Sequence, residues 1–284
     1  MLMDNLNLQY IDGFAVQLVG FKTWAIDEFA ITQCYLIEGE ERAVLIDTGM
    51  GQGNLRHVID YLTDKPYIIL NTHGHIDHIG GNDEFHDRDI YMNELDDEIS
   101  HIENNTPEIN QWHFEKSFHE PGFYGQKIYD MNRTYSGFIY HNLKEGDFFD
   151  LGGRLLRIYE TPGHTKGSVV IWDETNHYLF SGDTVVSTPI LILSDLGNSA
   201  SVEALRHSMK KLMKLYDQVE LIFPGHYIRP IEKEYMEDLQ KLTEMICMGT
   251  AERSPIDLSH MTKDETVISR YKKASIIYSD RCVL

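Results

Sequence analysis

Short apolar runs separated by polar turns dominate the first part of the sequence. The first forty-odd residues have a strand-like pattern. In CYLIEGEERAVLIDTG two apolar runs flank the polar stretch 38–42, which predicts a β-hairpin. The next segment, GNLRHVIDYL, has the apolar spacing of a helix, and PYIILNTH has the β-branched composition of a short buried strand. Further strands are predicted in LGGRLLRIYETPGH, SVVIWDETNHYLFSGDT and VELIFPGH.

Helical periodicity returns in the last third of the chain. SVEALRHSMKKLMKLY places Leu205, Met209, Leu212 and Tyr216 on one face, and Ser201 is the predicted N-cap. IEKEYMEDLQKLTEMI is predicted to form a second helix, and ASIIY a last edge strand. Because strands and helices alternate along the whole chain, the pattern indicates a mixed, layered α and β architecture.

The segment from about residue 82 to 146 differs from its surroundings. It is rich in aromatic residues and shows weak helical pieces with little strand pattern. No linker rich in proline, glycine or serine divides the chain. We therefore expect one domain over 1–284 with a helical and loop insert at about 82–146.

Composition narrows the classes of partner and location. The net charge of −20 argues against a nucleic-acid-binding surface, because such surfaces concentrate lysine and arginine. The sequence has no apolar run of about 18 residues and no secretory signal pattern, so no membrane association is expected. Cys34, Cys247 and Cys282 are scattered and odd in number, as is typical of reduced thiols in a cytoplasmic protein.

Metal-ligand residue types follow the predicted strands. NTHGHIDHIGG follows one strand, and TPGH, SGDT and FPGH follow three others. Histidines two apart after an extended strand project in the same direction, so this motif differs from a helical pair of ligands. The candidate ligands are His73, His75, Asp77, His78, His164, Asp183 and His226.

Seven such donors exceed the requirement of one tetrahedral ion. Five imidazoles and two carboxylates suit two divalent ions that share one bridging carboxylate. Zinc is the expected metal, and the same donors also accept iron or manganese. Any one of these histidines alone would be interpreted as an ordinary core or surface residue, whereas the set of seven at strand ends predicts a metal centre.

The motifs LIDTG, THGHIDHIGG, TPGHTKGS, LFSGDT and FPGH, in this order, resemble those of the metallo-β-lactamase fold superfamily. The resemblance covers nearly the whole chain. It implies an α+β fold, a four-layer αββα sandwich in which two sheets pack together with helices outside. The metal site would lie at one edge.

The resemblance also implies a role for each candidate ligand. His73, His75 and His164 would bind the first metal ion, and Asp77, His78 and His226 the second, with Asp183 bridging both. Asp47 of LIDTG would orient a ligand histidine. A role for Asp47 only as a turn or cap residue is the alternative.

Departures from individual branches of the superfamily narrow the expected activity. The bridging aspartate disfavours β-lactam hydrolysis, and Val186 stands where similar lactonases have tyrosine. A poor basic patch at 270–273 makes glyoxalase II itself doubtful. The expected enzyme is a hydrolase of a small-molecule ester, thioester or lactone. A phosphodiesterase, a mono-iron oxidoreductase similar to sulfur dioxygenases, and a metal-binding protein without activity are the alternatives.

The remaining expectations concern catalysis and substrate. Asp77 would orient the attacking water or accept its proton, and Tyr227 would donate a hydrogen bond to the substrate. Aromatic residues of the insert would line the substrate pocket, or would form a small core or a dimer contact instead. A homodimer is permitted by the sequence. The aromatic residues in question are Trp112, Phe114, Phe123 and Tyr124.

Overall fold

The computed structural model describes residues 8–101, 130, 132–194, 198–227, 229–259 and 261–284. The chain divides into two compact units. The first comprises Met1–Met92, Ser100–Asn142 and Phe149–Leu155, and the second comprises Asn93–Ile99, Leu143–Phe148 and Leu156–Leu284. The expectation of one domain over the whole chain stays a prediction.

The first unit is built on a sheet of eight strands in sequential order. Neighbours are antiparallel from β1 to β5 and parallel from β5 to β8. The strands are β1 (Gln9–Ile11), β2 (Phe14–Gly20), β3 (Thr23–Glu28), β4 (Thr32–Glu38), β5 (Ala43–Ile46), β6 (Tyr67–Leu70), β7 (Ile90–Met92) and β8 (His141–Asn142). The pairing of β4 with β5 confirms the predicted hairpin.

A helix covers one face of this sheet. Helix α1 (Leu55–Leu62) joins β5 to the parallel strand β6, and the side chain of Asn54 caps it by accepting a hydrogen bond from the His57 amide at 3.1 Å. Its buried residues Leu55, Val58 and Ile59 pack in one apolar cluster with residues of the strands. The predicted amphipathic helix is thereby confirmed.

The segment 82–146 contributes two strands to this sheet at its described ends, β7 and β8. The sequence shows little strand pattern in this segment although it forms β7 and β8. The reason is that strands of two or three residues are too short to show periodicity. Residues 102–129 and 131, which include the four aromatic residues proposed to line a pocket, lie outside the described residues.

Most residues of two further sheets belong to the second unit. Their strands are β9 (Phe148–Asp150), β10 (Leu155–Glu160), β11 (Val169–Asp173), β12 (Tyr178–Gly182), β13 (Ile190–Ile192), β14 (Leu221–Pro224), β15 (Ser254–Ile256), β16 (Thr266–Tyr271) and β17 (Ala274–Ser279). Residues 149–150 of β9 and residue 155 of β10 are assigned to the first unit. The five-stranded sheet has the order β14-β12-β11-β10-β9, and the four-stranded sheet has the order β13-β17-β16-β15. ASIIY was expected at an edge, but β17 is central, because β13 pairs with it in parallel on its far side.

The remaining described α-helices are α2 (Ile76–Ile79), α3 (Asp97–Ser100), α4 (Val202–Leu212) and α5 (Glu234–Cys247). The Ser201 hydroxyl accepts a hydrogen bond from the Ala204 amide at 3.1 Å, which confirms the predicted N-cap of α4. One apolar cluster of the second unit joins α4 and α5 to strands of both sheets. In the part of the chain that the structure describes, every helix is too short or too polar to cross a bilayer.

A buried carboxyl group fixes the loop that follows β5. Glu28 is 1% exposed and accepts hydrogen bonds from the amides of Met50 at 2.6 Å and Gln52 at 2.7 Å. Burial raises the pKa of Glu28 from 4.5 to about 8, against the effect of these amides; the charge of Glu84 adds to the rise, and that of Arg133 opposes it.

We expect this raised pKa to make stability depend on pH. Between pH 4.5 and 8 the folded protein holds a proton that the unfolded chain has released, so the free energy of unfolding falls as pH rises. The slope is at most about 1.4 kcal/mol per pH unit. Urea unfolding at pH 5, 6.5 and 8 should show this decline in the wild type and its absence in Glu28→Gln. The exposed Glu41→Gln serves as the control, and parallel profiles for wild type and Glu28→Gln would contradict the assignment.

Candidate metal-binding site

Four predicted ligands lie together in the first unit. Strand β6 ends at Leu70, and the chain runs on through His73 to His75, which occupies the N-cap position of α2 with an extended backbone (φ −71°, ψ 148°). The ring of His73 lies 4.9 Å from that of His75 and 4.0 Å from that of His78, measured between centroids. An oxygen of Asp77 lies 4.0 Å from Nε2 of His78.

Asp47 lies behind these ligands. It follows β5 with φ of 58° and is 1% exposed. Its carboxylate accepts hydrogen bonds from the amide and the hydroxyl of Thr72, at 2.7 and 2.8 Å, and from Nδ1 of His78 at 2.8 Å. Asp47 therefore has the contacts expected of a residue that orients a ligand histidine.

These hydrogen bonds determine which ring nitrogens remain available. Because Nδ1 of His78 donates to Asp47, its Nε2 carries the lone pair. The Thr72 hydroxyl donates to Asp47 and so accepts from Nδ1 of His73, which lies 3.1 Å away. His73 likewise presents the lone pair of Nε2, the form of imidazole that binds a metal ion.

A buried polar network supports this loop, and the sequence analysis missed it. Asn71 and Asn82 are joined by a hydrogen bond of 2.9 Å, and the Thr48 hydroxyl donates to Asn82 at 2.9 Å. The amide of Thr48 donates to the carbonyl of His78 at 2.8 Å. The signal for this network in the sequence was Asn82, a polar residue directly after Gly80 and Gly81, because a glycine pair allows close backbone approach.

The other three predicted ligands lie together in the second unit. His164 lies in the loop between β10 and β11, Asp183 directly follows β12, and His226 follows β14. Strands β12 and β14 are parallel, so their C-terminal ends lie side by side. A register shift between Phe180 and Gly182 redirects the chain just before Asp183.

One carboxylate oxygen stands between two imidazoles. Oδ2 of Asp183 lies 3.5 Å from Nε2 of His164 and 3.3 Å from Nε2 of His226. Nδ1 of His164 lies 2.7 Å from the carbonyl oxygen of Leu191, to which it donates. Nε2 of a neutral His164 therefore carries a lone pair and faces a carboxylate, which also has only acceptor sites when it is ionised.

This arrangement fits a cation. Two acceptors at 3.5 Å repel each other unless a proton or a metal ion lies between them. Ligand atoms at zinc distances of about 2.0–2.2 Å and tetrahedral angles stand about 3.4 Å apart, close to the separations around Asp183. The donor set of the second unit is therefore suited to a divalent metal ion.

Tyr227 differs from the buried ligands. Its side chain is 42% exposed, its backbone has φ of 58°, and its ring centroid lies 6.3 Å from that of His226. These contacts do not test whether Tyr227 donates a hydrogen bond to the substrate, so that role stays a prediction.

Comparisons with known proteins agree on a family. The model of the metallo-beta-lactamase superfamily matches residues 28–226, a range that includes Asp47 and all seven predicted ligands. An uncharacterised protein of Mycobacterium tuberculosis (strain ATCC 25618 / H37Rv) is 34% identical over 200 residues, 65% of this chain and 80% of the relative. An acyl-coenzyme A thioesterase of Gallus gallus is 27% identical over 209 residues, 68% of this chain and 71% of the thioesterase.

Solved structures show the same fold. The metallo-beta-lactamase from Pontibacter korlensis has a TM-score of 0.57 and 17% identity, covering 81% of this chain and 99% of that one. A superfamily protein from Sulfolobus tokodaii has a TM-score of 0.51 and 20% identity, covering 81% and 84%. These similarities confirm the predicted α+β fold.

Proposed function

The chain belongs to the metallo-beta-lactamase superfamily, and from this premise we propose that it is a metal-dependent hydrolase of a small-molecule thioester. The observation that carries the proposal is the acceptor pair in the second unit, in which Nε2 of His164 faces the carboxylate of Asp183 at 3.5 Å. A pair of this kind is stabilised by a proton or a metal ion between its two acceptors, and membership of this superfamily favours a divalent metal ion.

We propose two ions, held as the resemblance implies. His73, His75 and His164 would hold one, Asp77, His78 and His226 the other, and Asp183 would be shared. The lone pairs at Nε2 of His73, His78 and His164, set by hydrogen bonds at Nδ1, support these assignments. Zinc suits the mixture of imidazole and carboxylate, and iron or manganese are the alternatives.

When bound, two such ions lower the pKa of a water molecule to about 7 and polarise the carbonyl oxygen of the substrate. In hydrolysis of a thioester, the water oxygen bonds to the carbonyl carbon and the carbon–sulfur bond breaks. One proton of the water goes to the sulfur and the other is released to solvent, so the products are a carboxylate, a thiol and a proton.

The protein side chains would position these groups. Asp77 would hold the attacking water or accept its proton. Asp47 would keep His78 in one tautomer and one orientation through its hydrogen bond to Nδ1. Tyr227, exposed beside His226, would donate a hydrogen bond to the substrate.

The choice of thioester over ester or lactone is supported by the relatives. Acyl-coenzyme A thioesterases of Gallus gallus and Homo sapiens are each 27% identical to this chain over more than 200 residues. The same ligand set is compatible with phosphodiester hydrolysis and, with one iron, with oxygenase chemistry. These alternatives are separate outcomes of one experiment.

Turnover of a small substrate panel tests the proposal. Zinc-loaded protein would be assayed with an acyl-coenzyme A, a carboxylic ester, a lactone and a chromogenic phosphodiester, and oxygen uptake would be recorded for iron-loaded protein. We expect the thioester to have the highest kcat/KM and chelator-treated protein to be inactive. Turnover of the phosphodiester alone, or oxygen uptake without hydrolysis, would overturn the proposal.

A further inference from the structure

A buried carboxylate lies beside the loop that carries His164. Asp96 ends a short 3-10 turn, Glu94–Asp96, in the second unit, and its side chain is completely buried. Burying a carboxylate is unfavourable unless hydrogen bonds replace its water. Asp96 therefore needs donors from the surrounding chain.

Two of its donors come from the His164 loop. The hydroxyl of Thr165 donates to Oδ2 of Asp96 at 2.7 Å, and the amide of Gly167 donates to Oδ1 at 2.8 Å. The side-chain amide of Asn198 donates to the same Oδ1 at 2.7 Å. One carboxylate thus holds the loop at the residue directly after His164 and again two residues further on.

The backbone of the loop lies directly against this carboxylate. A Cβ atom built on Gly167 would lie 2.6 Å from Cγ of Asp96, closer than real Cβ atoms approach other atoms. Only glycine allows this contact without a shift. The close approach and the hydrogen bonds together fix the position of the loop.

The ring of His164 is held from another side, by the hydrogen bond of 2.7 Å from its Nδ1 to the carbonyl of Leu191. Orientation of a ligand needs both its ring and its backbone to be held. The Leu191 carbonyl holds the ring, and the Asp96 contacts hold the backbone on its C-terminal side.

We propose that Asp96 is a positioning residue for His164, which acts on the metal site through the loop without touching the metal. This inference rests on the proposed function, in which His164 binds the first metal ion. Removal of the carboxylate leaves the donors of Thr165, Gly167 and Asn198 buried without this acceptor, so the loop relaxes and the His164 imidazole moves. Loss of such supporting contacts typically lowers metal affinity about 10- to 100-fold.

The experiment is a zinc titration of metal-free protein against a chromophoric chelator, combined with calorimetric unfolding of the metal-free protein. The wild type should bind two ions. Asp96→Ala should bind one of them about 10- to 100-fold more weakly and the other with unchanged affinity.

Three further variants sharpen the test. Asp96→Asn should recover affinity to within about threefold of wild type, because its oxygen accepts from Gly167 and its amide can donate to the Thr165 hydroxyl. The adjacent, exposed Asp97→Ala should match the wild type. Thr165→Val removes the hydroxyl that contacts Asp96 at 2.7 Å and Ser168 at 2.8 Å, and it keeps the side-chain shape. It should weaken one site roughly fivefold and carries the test if Asp96→Ala does not fold.

The outcomes separate the two proposals. A wild type that binds no zinc overturns the proposed function and this inference with it. A wild type that binds two ions, with unchanged affinities in Asp96→Ala and Thr165→Val, overturns only the inference. Equal weakening of both sites with a large drop in the unfolding temperature of the metal-free protein would show that Asp96 acts on the fold as a whole, and would also overturn it.

Discussion

Replacing Asp183 with asparagine is expected to reduce kcat/KM for the thioester about a thousandfold or more. Oδ2 of Asp183 lies within 3.5 Å of ligand nitrogens on two different loops, so one substitution affects the donors of both. Asparagine keeps the shape but removes the negative charge that would hold two cations. At about 1.4 kcal/mol per tenfold change, a thousandfold loss corresponds to about 4 kcal/mol of transition-state stabilisation.

The measurement is kcat/KM together with metal content by mass spectrometry. Asp217→Asn, an exposed substitution of the same kind in the second unit, is the matched control and should keep full activity and metal content. If Asp183→Asn retained more than about a tenth of the activity with two ions bound, a central role for this carboxylate would be wrong.

The largest expected effect on stability comes from Arg154. This side chain is 3% exposed, and its guanidinium donates to the carbonyls of Phe21, Lys22 and Glu38, at 3.0, 2.9 and 3.1 Å, and to the Thr23 hydroxyl at 2.8 Å. The carbonyls of Phe21 and Lys22 keep other donors, the Thr23 hydroxyl at 2.9 Å and the Glu38 amide at 3.0 Å. The loss therefore comes mainly from the hydrogen bonds of a buried charged group, which contribute about 1.5–3 kcal/mol each. Arg154→Met should therefore lower the free energy of unfolding by about 3–5 kcal/mol.

Urea unfolding of the metal-free protein measures this loss, since metal binding would otherwise add to the difference. Arg42→Met is the comparison, because Arg42 is exposed and donates to one carbonyl, that of Asp150 at 2.7 Å. It should lose less than about 1 kcal/mol. Similar decreases in the free energy of unfolding for the two variants would contradict a large contribution of the Arg154 hydrogen bonds to stability.

The elements visible in the sequence are those with local signals. The hairpin of β4 and β5, helix α1 and the Ser201 cap of α4 each depend on residues within one turn or one strand length. The seven donors were also visible, because each follows an apolar strand within a few residues and four of them share one motif. For the same reason, the family could be recognised from motif order alone.

What the sequence did not reveal depends on contacts between distant residues. The central position of β17 depends on β13, a three-residue strand more than 80 residues earlier. Asp96 stands in the acidic run ELDDE, where it looks like a solvated residue, and its partners Thr165 and Gly167 lie about 70 residues away. Burial of Glu28 under the amides of Met50 and Gln52 is likewise a property of the folded chain only.

The parallel pairing of β12 and β14 also affects the order in which the parts of the metal site form during folding. The chain leaves β12 at Gly182 and returns at Leu221 only after β13 and α4, and pairings so distant in sequence form slowly. The donors from His73 to His78, by contrast, are neighbours in sequence even in an unfolded chain. Metal present during refolding should be captured there first, before Asp183 and His226 meet. The unfolded chain then also binds metal. Metal should therefore raise the free energy of unfolding by less than expected from its affinity for the folded protein alone.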